Sequence, residues 1–361
     1  MALDRIALSS FRNHGETRLD GSRALNLLVG ENGAGKTNVL EALSLFAPGR
    51  GLRRAALVDM AGKDGAGGFA VSASLDIGDG GEPVRLGTGM QAQRSGRRIV
   101  QVNGAEATAI SLGEWLAVSW LTPAMDRLFA DSAGTRRRYI DRLAVALDPQ
   151  HARQASRYEG ALRERNRLLS DDAAPDPAWL ESIEAQMAAA GAALAQGRTR
   201  LIGALTQELA TVPTEPFARP ALSLAPGGAM EEADLRDEFA ANRRQDRAAG
   251  RTLIGPHRDE LLVTMEGKAM PAAECSTGEQ KAMLIAITLA HASLAARGRP
   301  GVLLLDEVAA HLDPVRREAL FDRLRQSGTQ VWLTGTERAP FDAMVDEAAV
   351  WRVRDGKAER L

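Results

Sequence analysis

Near the amino-terminal end of the chain, eight consecutive residues have the types and spacing that bind phosphate groups. The pattern G-x-x-x-x-G-K-[ST] is matched at every defined position by Gly30-Glu31-Asn32-Gly33-Ala34-Gly35-Lys36-Thr37. An apolar run precedes this segment and a helical pattern follows it, so N–H groups and the helix dipole can face phosphate oxygens. We predict that residues 30–37 bind a nucleotide, that Lys36 contacts its β- and γ-phosphates, and that Thr37 is a ligand of Mg²⁺. A glycine turn that only starts a helix is the alternative interpretation.

A second group of chemically competent residues ends an apolar run near the other end of the chain. Residues 302–305 are Val-Leu-Leu-Leu, and Asp306 and Glu307 follow directly. Ligands of open α/β sheets bind at the carboxyl ends of the strands, which is where a buried strand would deliver Asp306. We predict that Asp306 holds Mg²⁺, directly or through water, and that Glu307 is the general base for an attacking water. Lys36 and Glu307 are therefore the predicted catalytic residues. An acidic pair that only caps a helix is the alternative.

The elements that must position these motifs are strands and helices in alternation at both ends of the chain. The sequence predicts a hairpin over residues 3–9 and 16–20, antiparallel strands over 69–102 with a turn at Asn103-Gly104, and a return of strand character at 261–265. A helix is predicted from Gly278, a strand at 301–305, a helix after Pro314 and a strand at 330–333. These patterns indicate an α/β domain that the middle of the chain interrupts.

That middle part, from about residue 136 to 212, is rich in Arg and Ala and has a helical period. Apolar residues recur at spacings of three, four and seven: Leu180, Ile183, Met187, Ala190, Leu194, Leu201 and Leu205. The preceding segment has a similar series: Ala155, Tyr158, Leu162 and Leu169. Residues 171–177 (DDAAPDP) break the pattern between them. The pattern favours two antiparallel helices that form a short arm. Two ordinary amphipathic helices packed on the main domain remain the alternative.

Composition limits the classes of function. The 361 residues have a formal net charge of −2, so any nucleic-acid binding must come from local basic patches. Aromatic residues make up 4%, which argues against an extended base-stacking platform, and the single Cys275 excludes a disulfide framework or a cysteine metal site. No apolar run reaches the roughly 18 residues of a membrane span. We therefore expect a soluble, cytoplasmic protein without a membrane partner.

Residues 275–281 (CSTGEQK) resemble the signature of ABC-type ATPases, in which a serine, a small residue and a glycine precede Gln or Glu. The resemblance implies that Ser276 and Gly278 contact the γ-phosphate of ATP held by a second copy, so that ATP joins two heads. Residues 312–314 (LDP) resemble the D-loop of the same interface. The family's switch histidine is absent, since Thr334-Gly335-Thr336 stands there, and no glutamine can be assigned to the Q-loop. A local capping box between Ser276 and Glu279 is the alternative.

Four further blocks are similar to those of the RecF family of DNA replication and repair proteins. They are residues 10–14 (SFRNH), residues 135–142 (TRRRYIDR), Tyr158 with residues 165–169 (RNRLL), and residues 255–260 (GPHRDE). The separation of 240 positions from Lys36 to Ser276 also fits a short arm. A transport-coupling ATPase would need far fewer, and an SMC-like chromosome protein several hundred more.

The resemblance implies a fold and a function. The fold is an α/β ABC-type ATPase head, with a mixed sheet that carries the phosphate loop and with antiparallel strands, and an inserted short α-helical or coiled-coil arm. The head is expected at residues 1–125 and 255–361 and the arm at 126–254. The implied function is DNA replication and recombinational repair by an ATP-dependent homodimer that needs ATP and Mg²⁺. It binds gapped or junction DNA, works with RecO and RecR to load RecA, and is reset by weak DNA-dependent ATP hydrolysis.

Arginine clusters are the candidate DNA contacts, because forked guanidinium donors bind phosphates without reading bases. The predicted contacts are Arg136, Arg137, Arg138, Arg53 and Arg54. A solvated or partner-binding face is the alternative, and residues 136–138 could instead brace the arm against the head. We expect a structural role for His257 and no chemistry for Cys275.

Three other functions remain open from the residues alone. They are a transport-coupling ATPase, an SMC-like chromosome protein, and a scaffold that binds ATP with little turnover.

Overall fold

A computed structural model describes residues 2–62, 65, 67–78, 81–171, 175–309 and 312–361. The chain folds into two compact units. The first unit comprises Met1–Asp126, Pro213–Ala218 and Lys281–Leu361, and the second comprises Arg127–Val212 and Arg219–Gln280. Among the helices of the described ranges, none has both the length and the apolar character that crossing a lipid bilayer requires.

The first unit contains an antiparallel sheet with the strand order β2-β1-β4-β5-β6-β7. Its strands are β1 (Leu3–Phe11), β2 (His14–Leu19), β4 (Phe69–Leu75), β5 (Val84–Met90), β6 (Ile99–Val102) and β7 (Ala105–Glu106). Along β4, buried residues alternate with less buried ones, as one core face and one outer face require. Asn103 and Gly104 both have positive φ, at 51° and 84°, which is the geometry of a tight hairpin turn. The hairpin, the strands and the turn predicted from the sequence are therefore confirmed.

A mostly parallel sheet with the order β15-β14-β3-β13-β12-β8 is the second layer of this unit. It consists of β3 (Leu25–Val29), β8 (Ala117–Leu121), β12 (Gly301–Leu305), β13 (Gln330–Gly335), β14 (Ala349–Arg354) and β15 (Lys357–Arg360). Every residue of β3, β8, β12 and β13 is buried, which is why these strands are continuous apolar runs rather than alternating ones. Only β15 pairs antiparallel to its neighbour.

The helices of the first unit are α1 (Lys36–Ser44), α2 (Leu57–Met60), α3 (Ala109–Trp115), most of α8 (Thr277–Ala295) and α9 (Pro314–Gln326). Helix α1 contributes Val39, Leu40 and Leu43 to a core that both sheets share. Helix α8 is buried on nearly all sides, so its sequence is apolar around the whole circumference. The core therefore holds the phosphate-loop helix against both layers.

The second unit is a helical bundle with a small sheet. Its helices are α4 (Ala133–Leu147), α5 (Gln150–Ser170), α6 (Pro177–Thr211) and α7 (Glu232–Ala249), and its sheet has the order β11-β10-β9, with β9 (Pro220–Ala225), β10 (Glu260–Met265) and β11 (Met270–Pro271). All seven residues of the predicted α6 series are buried. Helix α5 packs beside α6 as predicted, but α4 and α7 pack on α6 too. In the predicted breaker, residues 172–174 lie outside the described part of the chain.

The units divide the chain differently from the predicted domains in two respects. Residues 255–280, expected in the head, fold with the second unit, because β10 pairs along its whole length with β9. Strand β9 has no clear signal in the sequence, so the pairing that draws β10 into this unit was not foreseen. Conversely, residues 213–218 fold with the first unit. There the ring of Phe217 is buried beneath Arg323, whose guanidinium carbon lies 4.9 Å from the centre of the ring.

Buried arginines hold the second unit together. Arg165 is completely buried and donates to Glu184 at 3.0 Å and to Asp246 at 2.6 Å. Arg198 pairs in the same way with Asp141 and Asp259. Removing one partner of such a pair would leave a buried charge without its counter-charge, which is strongly destabilising. These contacts therefore stabilise the packing of the helices. The RNRLL and GPHRDE blocks thus supply structural residues.

Candidate functional site

The predicted phosphate loop connects β3 to α1 in a conformation that depends on its glycines. A Cβ on Gly30 would collide with the backbone oxygen of Val353, and Gly35 has φ +115° directly before α1. The first N–H groups of a helix have no intrahelical partners and can bind an anion. Lys36 Nζ donates to the carbonyl oxygens of Gly30 at 2.6 Å and of Glu31 at 2.9 Å. Burial lowers the pKa of Lys36, and nearby Glu307 and Asp306 oppose this shift.

The turn between β1 and β2 supports this loop from outside. Asn13 Nδ2 donates to the backbone oxygen of Ala34 at 3.1 Å, and His14 Nε2 lies 3.1 Å from the oxygen of Gly35. Gly356 N also donates to Ala34 at 3.1 Å. These contacts give the SFRNH block a role that the sequence did not specify. The sequence pointed to this block only through its resemblance to the family, because the chemistry of its residues gave no signal.

Thr37 and Asp306 come together at the carboxyl edge of the parallel sheet. Thr37 Oγ1 lies 2.9 Å from Oδ1 and 3.1 Å from Oδ2 of Asp306, so its hydroxyl donates to the carboxylate. Burial raises the pKa of Asp306, and hydrogen bonds from Thr334 and Thr37 work against that shift. A hydroxyl and a carboxylate are hard oxygen ligands, so the two side chains fit a bound Mg²⁺.

Glu307 has an unusual backbone. Its φ is +53°, in the left-handed region that is uncommon for residues other than glycine. Its N–H donates to Thr334 Oγ1 at 2.8 Å, and that hydroxyl donates in turn to Asp306 Oδ1 at 2.9 Å. From the sequence, Thr334 stood out only because it lies where the family has its switch histidine. The hydrogen-bonded bridge from Glu307 through Thr334 to Asp306 was not predicted.

Ser276 and Gly278 belong to the second unit, at the start of α8. Ser276 N and Oγ both donate to Glu279 Oε2 at 2.9 Å, and Glu279 N lies 3.4 Å from Ser276 Oγ, which is a capping box. Lys268 pairs with the same carboxylate, and chiefly this contact lowers the pKa of Glu279 to about 2. The local alternative for Ser276 is thus present in the structure. It leaves the contact with ATP a prediction.

The predicted DNA-binding arginines of the second unit have different surroundings. Arg136 donates to Glu260 at 2.6 Å, and Arg137 to the backbone oxygen of Asp259 at 2.7 Å. Arg138 is exposed and contacts Thr135 at 2.9 Å. Arg136 and Arg137 therefore brace β10 and its preceding turn within the second unit, which is a structural role but not the brace of the arm against the head that was the alternative for this cluster. Arg138 is the member of the cluster that faces solvent.

In the first unit, Arg53 pairs with the buried Glu41 of α1 at 2.8 Å, a carboxylate that Arg12 also binds at 2.7 Å. Arg54 is exposed. Arg98, directly before β6, donates to carbonyl oxygens of Leu45 and Gly49 beyond the end of α1, and burial lowers its pKa to about 10. Arg98 is therefore a support of the phosphate-loop helix.

His257 and the D-loop-like segment, which the sequence also indicated, both make local structural contacts. His257 Nδ1 lies 2.8 Å from the hydroxyl of Tyr158 and its Nε2 lies 3.0 Å from the oxygen of Thr252. Burial lowers the pKa of His257, which favours a neutral structural ring. Asp313 of the D-loop-like segment caps α9 through the N–H of Arg316 at 3.0 Å.

Known proteins of similar sequence indicate the family. A family model described as "RecF/RecN/SMC N terminal domain" matches residues 2–359. The DNA replication and repair protein RecF of Rhizobium leguminosarum bv. trifolii (strain WSM2304) is 48% identical over 372 residues, covering 99% of this chain and 98% of that protein. RecF of Brucella suis biovar 1 (strain 1330) is 44% identical over 371 residues, covering 99% and 96%.

Solved structures show the same fold. One described as "the recombination mediator protein RecF-ATPrS in RecFOR pathway" has a TM-score of 0.87 at 22% identity, covering 99% of this chain and 98% of that chain. An Smc head domain with an extended coiled coil, from Pyrococcus furiosus, has a TM-score of 0.56 at 15% identity, covering 100% and 96%. The fold and the phosphate loop define an ABC-type ATPase head of the SMC-like class, as predicted. The extent of the sequence match narrows this class further. The chain belongs to the RecF family of DNA replication and repair proteins.

Proposed function

We propose that this protein binds and hydrolyses ATP to control its attachment to DNA during replication and recombinational repair. One observation carries the proposal. Lys36 and Thr37 from the loop after β3 and Asp306 and Glu307 from the end of β12 meet at one edge of the sheet, with Thr37 Oγ1 2.9 Å from Asp306. The name of the relatives and the ATP-bound RecF described among the similar folds support the choice of ATP.

Each residue of this edge has a distinct proposed task. The loop N–H groups and Lys36 bind the phosphates, and the ammonium group exchanges its two carbonyl partners for phosphate oxygens. Thr37 and Asp306 would hold Mg²⁺, which when bound neutralises charge on the β- and γ-phosphates. Glu307 orients a water molecule and accepts its proton as the water attacks the γ-phosphate.

We further propose that the signature segment of a second copy completes the site. The capping box gives Ser276 and the start of α8 a defined geometry, and a helix N-terminus favours an anion. ATP would then join two heads, and hydrolysis would separate them. Slow turnover that DNA stimulates suits this role, because the time before hydrolysis then sets how long the two heads stay joined.

The proposed partners are DNA and the proteins RecO and RecR, which together would promote RecA loading. The "RecFOR pathway" in the description of the similar RecF structures supports this part. Exposed Arg54 and Arg138 are the proposed contacts to DNA phosphates. Arg53 is a further proposed contact, through the guanidinium N–H groups that do not pair with Glu41.

Nucleotide-dependent sedimentation combined with phosphate release tests the proposal. The wild-type protein should dimerise with ATP and Mg²⁺ and hydrolyse ATP faster with gapped DNA. Lys36→Ala should neither bind ATP nor dimerise, whereas Glu307→Gln should bind ATP and remain a dimer. A scaffold without turnover would give no phosphate release, and Glu307→Gln would then behave as the wild type.

A further inference from the structure

We propose that Thr334 is the positioning residue for Glu307, acting through a hydroxyl bridge between the two carboxylate-bearing residues of the site. The inference rests on the proposed ATPase function and assigns a role to a position that lacks the switch histidine. Thr334 is the first residue after the paired segment in which Leu333 of β13 lies opposite Leu305 of β12. This register sets the side chain of Thr334 beside both Asp306 and the backbone turn at Glu307.

The hydroxyl of Thr334 acts as an acceptor and as a donor at the same time. Thr334 Oγ1 accepts the Glu307 N–H at 2.8 Å and donates its own hydrogen to Asp306 Oδ1 at 2.9 Å. Thr334 is 1% exposed, so water cannot readily replace either contact. Asp306 accepts from Thr37 and Thr334 together, which an ionised carboxylate can do.

The backbone of Glu307 explains why this bridge matters. With φ at +53°, the N–H of Glu307 points to Thr334, and a residue other than glycine holds this conformation only when its surroundings impose it. Without the hydroxyl, the part-buried N–H of Glu307 would lose its hydrogen-bond acceptor, and the turn could relax to a commoner conformation. The Glu307 side chain would then leave the position from which it can contact the attacking water.

Thr334→Val tests the idea, because valine keeps the shape of threonine and removes both hydrogen bonds. The kcat for ATP hydrolysis should fall by roughly 10- to 100-fold, as expected for a displaced catalytic group. The Kd for ATP with saturating Mg²⁺ should change by less than about threefold, because Lys36 and the loop are untouched. Thr334→Ser, which keeps the hydroxyl, should recover most of the rate.

Thr288→Val is the matched control. Thr288 is also a buried threonine of the first unit, and its hydroxyl donates to the oxygen of Leu284 at 2.7 Å within α8. It should show a similar change in melting temperature and a wild-type kcat. Should Thr334→Val be much less stable than this control, Thr334→Cys replaces it, because a thiol fills the site but forms only weak hydrogen bonds.

A double-mutant cycle separates positioning from general damage. If Thr334 acts through Glu307, then Glu307→Gln with Thr334→Val should hydrolyse ATP no more slowly than Glu307→Gln alone. The inference is overturned if the second change slows the double variant by its full factor, if Thr334→Val turns over at the wild-type rate, or if serine fails to rescue. A rate loss that higher Mg²⁺ removes would also overturn it, because Asp306 would then be the residue affected. Absence of hydrolysis by the wild type would instead reject the proposed function.

Discussion

Thr37, in the first turn of α1, donates its hydroxyl hydrogen to Asp306, at the end of β12, across 2.9 Å. The contact depends on the register of three parallel strands, because β13 lies between β3 and β12 and pairs with both. Since the hydroxyl hydrogen points to Asp306, the lone pairs of Thr37 Oγ1 remain available to a cation. The site thus has the polarity of a metal ligand set before any ligand binds.

Gly30→Ala should weaken ATP binding and destabilise the first unit by about 1–3 kcal/mol, because its new methyl group would collide with the Val353 backbone. Isothermal titration with ATP and thermal unfolding measure the two effects. Gly203→Ala is a matched control, since a Cβ built at this helical glycine would meet no described heavy atom within 4 Å apart from its chain neighbours and its own helix backbone. It should leave ATP binding unchanged and raise stability slightly. Equal behaviour of the two variants would contradict the close approach at Gly30.

Lys268→Ala should raise the pKa of Glu279 from about 2 toward its ordinary value of 4.5. A lowered carboxyl pKa stabilises the folded state above the unfolded pKa, and that contribution disappears as the pH falls through the folded pKa. The contribution should therefore be present above pH 4.5 and be lost toward pH 2. NMR titration of the Glu279 carboxyl carbon measures the shift. An unchanged titration in the variant would show that Ser276 alone determines it.

Arg165→Ala should destabilise the second unit by about 3–5 kcal/mol, because Glu184 and Asp246 would lose their buried partner. Denaturant unfolding provides the measurement. Arg167→Ala, two positions along the same helix, removes an exposed pair with Glu164 and should have little effect. If both variants unfold alike, the buried network is not what stabilises the packing of α5 against α6 and α7.

Arg138→Ala should weaken DNA binding without loss of stability, because Arg138 is exposed and its hydrogen bond among the described residues is a local one to Thr135. The slope of log affinity against log salt concentration should decrease by about one. Arg136→Ala should have the opposite profile, with lower stability from the broken pair with Glu260. Fluorescence anisotropy with gapped DNA at several salt concentrations distinguishes them. Arg138→Ala with wild-type affinity would remove this residue from the proposed DNA surface.

Local patterns predicted much of the first unit. The phosphate loop occupies eight consecutive positions, and Asp306 follows a short apolar run that is typical of a buried strand, so neither needed tertiary information. The second unit was harder to predict. Strand β9 is hydrogen-bonded only to β10, and its mixed sequence PALSLA has no alternation from which a strand could be inferred. The arginine cluster at 136–138 shows the same limit, because charge is visible in a sequence but its partners are not.

The sequence by itself indicated which groups are candidates for binding phosphate and metal, because those groups lie within short motifs whose local geometry follows from their own residues. Only the tertiary structure decided how the groups are held. Thr334 meets Asp306 and Glu307, and Glu41 meets Arg12 and Arg53, through contacts between segments far apart in the chain. Such contacts depend on strand register and helix packing. One hydroxyl or guanidinium among many becomes a support of the site only when folding buries it beside a matching partner.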